Sequence, residues 1–95
     1  MRAVDLLVSA SKLYKKYTSN SMQHIPLDSS NIKSVAYFEK ERGEFVLEVR
    51  FHGGALYEYR DVPEHVYEGL LNAESHGQYF YEHIREAGYP YEKLT

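Results

Sequence analysis

Apolar side chains at positions 3, 6, 7, 10, 13, 14 and 17 recur at intervals of three and four, with Asp5, Ser9, Lys12, Lys15 and Lys16 between them. That is the spacing of one helix face, so residues 3–17 are predicted to form an amphipathic helix. Thr18-Ser19-Asn20-Ser21 has no periodicity and reads as a linker. From Met22 the rhythm changes. Ser29-Ser30-Asn31 leads into a strand at about 32–39, and Lys40-Glu41-Arg42-Gly43 turns the chain. Residues 45–51 then alternate, with Phe45, Leu47, Val49 and Phe51 facing one way and Val46, Glu48 and Arg50 the other. His52-Gly53-Gly54 forms the next turn, and a third strand covers about 55–60.

The length of that second turn decides which way Tyr57 and Tyr59 face. A two-residue loop at Gly53-Gly54 sets both tyrosines on the face of Glu48 and Arg50. A three-residue loop pairs Phe51 with Ala55, which aligns Tyr57 with Val49 and Tyr59 with Leu47 and puts Glu58 with Glu48 and Arg50. The second register matches apolar with apolar and charged with charged, and a buried face specifies register strongly. It also needs a left-handed residue near the loop end, which Gly54 supplies without steric cost. The expectation is therefore that both tyrosines face the core, with Glu58 and Arg60 outward.

Asp61-Val62-Pro63 begins a helix, with proline comfortable at its start. Val62, Val66 and Leu70 make its apolar stripe, widened by Tyr67 and Leu71. Ser75-His76-Gly77-Gln78 has the form of a capping box. It opens a second helix to about Ala87 that buries Phe80, Ile84 and Ala87, with Gly88 as terminator. Tyr89-Pro90-Tyr91 follows as an extended tail. The predicted fold is α+β: an N-terminal amphipathic helix, a three-stranded antiparallel meander, then two helices packed on one sheet face. Residues 1–21 are read as an accessory helix and linker, and 22–95 as the self-contained domain.

Composition narrows the chemistry. The chain has 95 residues, the size of one domain. It contains no cysteine, which rules out disulfides, thiolate zinc sites and cysteine nucleophiles. No apolar run approaches the ~18 residues of a membrane span, and Asp5 interrupts the short N-terminal apolar stretch, so a soluble cytoplasmic protein without membrane contact is expected. Net charge is −3, with +2 over residues 1–30 and −5 over 31–95. Phosphate backbones are held mainly by positive charge, so the acidic body disfavours general nucleic-acid binding and leaves room for a local basic patch. Tyrosine is the outlier at ten residues, serving equally in wet interfaces and at core edges.

Several of these pieces follow one another in a recognisable order. They are Ser29-Ser30-Asn31-Ile32, the strand ending in Phe51, Tyr57-Glu58-Tyr59, Val62-Pro63 and Leu70-Leu71-Asn72-Ala73-Glu74-Ser75, then Gly77-Gln78-Tyr79-Phe80, Ile84-Arg85 and Tyr89-Pro90-Tyr91. The ordered set, over residues 29–94, resembles the KTSC domain. That domain is named for its place at the C-terminus of some lysyl-tRNA synthetases and occurs alone in small bacterial and phage-type proteins. The resemblance implies a link to RNA. Two features depart from it: the acidic balance of the domain, and an N-terminal helix that the family pattern does not require.

Candidate ligand-binding residues are Tyr57 and Tyr59, which can stack bases or form a core face with phenolic tips at its edge; the two uses can coexist. Arg50, Arg60 and Lys33 can form a phosphate-holding strip on the outer sheet face, or a solvated face balanced by Glu48 and Glu58. Lys12, Tyr14, Lys15, Lys16 and Tyr17 interleave base and aromatic as a secondary interface to nucleic acid or a protein partner, or form an ordinary helix with its tyrosines inward. The five histidines lie on separate elements without ligand spacing, so no metal site is read. No nucleophile constellation and no phosphate loop appear, and no cofactor is expected. The reading is a non-catalytic binding module for RNA or an RNA-handling protein, with a protein-interaction factor as the alternative. Because every strand and cap signal lies after residue 21, a chain beginning at Met22 is expected to keep a single cooperative thermal transition by circular dichroism. A non-cooperative melt would make residues 1–21 part of the domain core.

Overall fold

The structure, a computed structural model, describes residues 24–95. Five antiparallel strands form one sheet in sequence order: β1 Ile25–Pro26, β2 Ile32–Glu41, β3 Glu44–Phe51, β4 Leu56–Arg60 and β5 Tyr91–Lys93. Between β4 and β5 come helix α1, Glu64–Asn72, and helix α2, His76–Phe80, which runs on as a π-helical turn over Tyr81–Arg85. The three-stranded meander is thus corrected to a five-stranded sheet with an extra strand at each edge. The physical reason is that neither edge strand carries a local signal. Both are two or three residues long and lie at or beside a proline, Pro26 or Pro90, which edge positions tolerate. Only the neighbouring ladder makes them strands. The N-terminal helix of the expected fold falls outside the described residues.

The three-residue register is the one observed. Leu47 pairs with Tyr59, Glu48 with Glu58 and Val49 with Tyr57, and the Phe51 amide donates to the Ala55 carbonyl at 2.9 Å. Gly54 takes φ +104°, a conformation that a side chain would strain. Alternation then assigns the faces. Val35, Leu47, Val49, Tyr59 and Ile32 point to the helices and bury against Val62, Leu70, Phe80 and Ile84. Each aliphatic side chain fully buried there stabilises by about 1.5–3 kcal/mol. Gly69 on α1 leaves room for the Tyr79 phenol from α2, where a Cβ would overlap the ring. Ala36, Phe38 and Val46 form a second, separate buried cluster on the opposite face.

Helix α2 starts as its sequence signals, with the Gln78 amide donating to the Ser75 hydroxyl at 3.2 Å. Its C-terminal half departs from the expected spacing. The Glu86 amide reaches back five residues to the Tyr81 carbonyl, so the turn widens and the inward register slips by one. Phe80 and Ile84 are buried, whereas Ala87, expected in the core, is exposed.

Tyr59 is 5% exposed within this core. Tyr59→Ala should therefore cost about 3–5 kcal/mol in denaturant unfolding, as large aromatic deletions do. The half-buried Tyr57 should cost less, and equal tolerance of both would contradict this packing.

Tyr37, Tyr59 and Tyr67 all titrate above the usual phenol value, chiefly because burial disfavours the phenolate. A raised folded value means that the unfolded chain loses its proton first. The stabilisation is complete below the ordinary value near 10 and is lost as pH climbs towards the raised ones. Unfolding free energy should be insensitive to these groups below about pH 10 and fall above it, with phenolate absorbance rising in step with unfolding. Titration of these phenols in a chain that stays folded and equally stable would refute the assignment.

Candidate functional site

A cleft of about 540 Å³ opens between the β3–β4–β5 edge of the sheet and α2 with its π turn. Its size lies within the range of small-ligand sites. The strands contribute Phe51, Tyr57, Tyr59 and Tyr91, and the helical segment contributes Phe80, Tyr81, Arg85 and Glu86. These residues are brought together by topology. Strand β5 adds to β4 with Tyr91 opposite Tyr59, so three tyrosines share one sheet face.

The rings form a graded wall. Tyr57 and Tyr59 stack with centroids 6.3 Å apart, and Tyr59 and Tyr91 stack at 5.5 Å. Phe80 meets Tyr59 edge-on at 5.5 Å, and Phe51 meets both Tyr57 and Phe80 edge-on. Tyr59 and Phe80 make a buried floor. Tyr81 and Tyr91, 50% and 61% exposed, make the rim. The Arg85 guanidinium stands 5.5 Å over the Tyr81 ring, a cation–π arrangement. Tyr59 is held protonated above its usual range by burial and by neighbouring Tyr57 and Tyr91, with Arg85 opposing the shift. The cleft thus offers flat apolar faces, phenolic hydroxyls and one cation at its mouth. Planar groups are suited to such a wall.

Of the candidate residues, Tyr57 and Tyr59 lie in this cleft, while Arg50 and Arg60 stand on the other sheet face. The Arg50 Nη1 donates to the Gly54 carbonyl at 2.7 Å. The Arg60 Nη1 lies 3.6 Å from Glu58 and 3.7 Å from Glu92. Lys33 is exposed, at the register shift between Ile32 and Ser34. Lys12, Tyr14, Lys15, Lys16 and Tyr17 fall outside the described residues.

That second face is not the solvated, charge-balanced surface that its alternation suggested. Glu48 and Glu58 are 3% and 2% exposed. Directly opposed like charges are unfavourable in a sheet, and each glutamate has its own partner. Lys40 Nζ donates to Glu58 at 2.7 Å, and the His24 ring bridges Glu48 at 2.9 Å and Ser34 at 2.8 Å. The hydrogen bond to Glu58 raises the Lys40 ammonium above its usual value.

Sequence reasoning missed Tyr91 and Arg85 as cleft residues. The local signal beside Tyr91 was Pro90, whose fixed φ suits extended backbone and an edge position. The remaining histidines are spread apart. His52 bonds the Ser29 carbonyl, His76 bonds the Leu70 carbonyl, and the His83 ring meets Tyr79 at a tilt, with centroids 4.4 Å apart. Among the described residues, no cluster of three or more metal-ligating side chains forms, and no helix is long and apolar enough to cross a membrane.

The chain is similar to proteins of one kind. A protein of Stutzerimonas stutzeri, named only as uncharacterised, is 36% identical over 73 residues, 77% of this chain and 99% of its own length. A lysine–tRNA ligase of Trichormus variabilis is 38% identical over 81 residues, 72% of this chain but 14% of the ligase. The crystal structure of a KTSC domain protein from Yersinia pestis superposes with a TM-score of 0.65 at 31% identity, covering 77% of this chain and 97% of that one. Residues 28–89 match the KTSC domain, so this chain belongs to the KTSC domain family.

Proposed function

We propose that this chain is a non-catalytic, cytoplasmic binding module that seats bases of single-stranded RNA against the tyrosine wall of the cleft. The observation that carries the reading is the run of Tyr57, Tyr59 and Tyr91 on one face, open at an exposed rim beside Arg85. Bases stack on aromatic side chains, whichever base is presented, because each has a π-face. The Arg85 guanidinium supplies a cation near the entrance for one phosphate. A matching segment within proteins named lysine–tRNA ligase fits an RNA-linked setting. The acidic composition of the described residues then restricts binding to this local contact, without a broad electrostatic footprint.

A second reading has its own support. Tyr81 and Tyr91 are large and exposed, and Arg85 lies over the Tyr81 ring, as in protein interfaces, where tyrosine and arginine are enriched. In that case the partner is an RNA-handling protein or another protein, and the cleft takes a side chain from it.

The two readings separate by salt dependence. Anisotropy of labelled oligoribonucleotides should show binding whose slope against salt falls by about one unit in Arg85→Ala, the loss of one phosphate contact. Tyr91→Ala, at an exposed position, should weaken binding roughly five-fold to a hundred-fold, the effect of one lost base stack. The Arg50→Ala, Arg60→Ala double variant should keep the native slope. No oligoribonucleotide binding at low salt would overturn the RNA reading and leave the protein-interaction reading in first place.

A further inference from the structure

Tyr59 is almost wholly enclosed, at 5% exposure, with Tyr91 and Phe80 at ring centroid distances of 5.5 Å and Tyr57 at 6.3 Å. Its ring belongs to the core. Its hydroxyl, however, makes no hydrogen bond among the described residues. The Tyr37 hydroxyl, by contrast, donates to the Val62 carbonyl. Among the described residues, no sealed side-chain nitrogen or oxygen is left without a partner. The unbonded Tyr59 hydroxyl is therefore not sealed in. It opens into the cleft that this side chain lines. A polar tip on a nearly buried ring, left to the cleft, is a place for a polar atom of a ligand.

The charged side chains of the cleft lie elsewhere. Arg85 and Glu86 are exposed, so full charge is met at the rim. The deep end offers aromatic surface and this one hydroxyl. A phosphate or carboxylate carried there would lose its water for little return, whereas a neutral polar edge loses far less. Burial, with Tyr57 and Tyr91 beside it, keeps the Tyr59 phenol protonated. It therefore presents an O–H. A phenol donates more strongly than an aliphatic alcohol and accepts more weakly, because its oxygen lone pair is drawn into the ring. The matching ligand atom is a carbonyl oxygen. Bases divide on this point: uracil carries O4 and guanine O6 where cytosine and adenine carry an amino group.

Resting on the base-binding reading of this cleft, we propose that it selects the keto bases uracil and guanine over the amino bases cytosine and adenine, and that the Tyr59 hydroxyl makes the selection by donating to O4 or O6. The base enters edge-first, against the more exposed rings of Tyr57 and Tyr91, and leaves its phosphate at the rim beside Arg85. An amino group in the same place turns its own hydrogens towards the phenolic hydrogen. A donor left unmatched against a bound ligand costs more than a contact that was never there. One hydroxyl can thus sort bases that stacking alone accepts without distinction. Tyr59 then has two separate uses: its ring is part of the core, and its tip is a specificity-determining group.

The test compares labelled oligoribonucleotides of equal length by anisotropy: oligouridylate against oligocytidylate, and oligoinosinate against oligoadenylate. Each pair matches in ring size and in phosphate charge. Its members differ in having a carbonyl or an amino group, with the proton of the adjacent ring nitrogen. With the intact chain, the keto member of each pair should bind about two-fold to ten-fold more tightly, the range of one hydrogen bond. Tyr59→Phe keeps the ring and removes only the hydroxyl, and a thermal melt checks that it is folded. It should abolish both preferences and leave the salt slope native. Equal affinities within both pairs for the intact chain would overturn the proposal and leave the base-stacking reading standing. So would a keto preference that survives Tyr59→Phe. Failure of all four oligoribonucleotides to bind at low salt would instead remove the base-binding reading, and this proposal with it.

Discussion

The pairing of β3 with β4 governs everything built on this sheet. With Val49 opposite Tyr57 and Leu47 opposite Tyr59, a single face collects the apolar residues of both strands. A slip of one residue would exchange the faces and drive Glu58 and Arg60 under the helices. The left-handed conformation of Gly54 closes the loop at the length that this pairing needs. The helices then dock on the tyrosine face because Leu70, Phe80 and Ile84 find a continuous apolar surface there.

The same register creates the opposite arrangement behind the sheet. It sets Glu48 directly against Glu58, an unfavourable contact between like charges within a buried layer. The structure offsets this by giving each carboxylate a local partner, Lys40 for Glu58 and His24 for Glu48. Arg60 links Glu58 outward to Glu92 on β5, so the ionic groups also tie an edge strand to the centre. Cationic side chains used in this way are engaged with their own fold.

The cleft depends on two features that arrive late in the chain. Strand β5 brings Tyr91 alongside Tyr59, and the π turn after Phe80 carries Tyr81 and Arg85 to the mouth. Had α2 continued as a regular helix, its register from Tyr81 onward would have rotated and pulled Arg85 away from its present place. Single-turn π segments inside helices frequently mark functional sites. Here the widened turn aims one cation over one tyrosine ring at the rim.

Local patterns determined the central hairpins, the Ser75 cap and the inward direction of Tyr57 and Tyr59. Alternation, turn glycines and capping side chains act between near neighbours in sequence, and each leaves a readable trace. The family resemblance was legible for the same reason, as an ordered series of such pieces. Tertiary structure alone decided the rest. Edge strands of two and three residues owe their conformation to a partner ladder, so β1 and β5 left almost no pattern to read. Half of the tyrosine cleft was therefore invisible, since Tyr91 and Arg85 join Tyr57 and Tyr59 only through distant pairing and a slipped helical turn. The burial of Glu48 and Glu58 was hidden as well. Their alternation with Val46, Arg50 and Arg60 has the signature of a solvent face, and what lies over a sheet is not written in the strand that is covered.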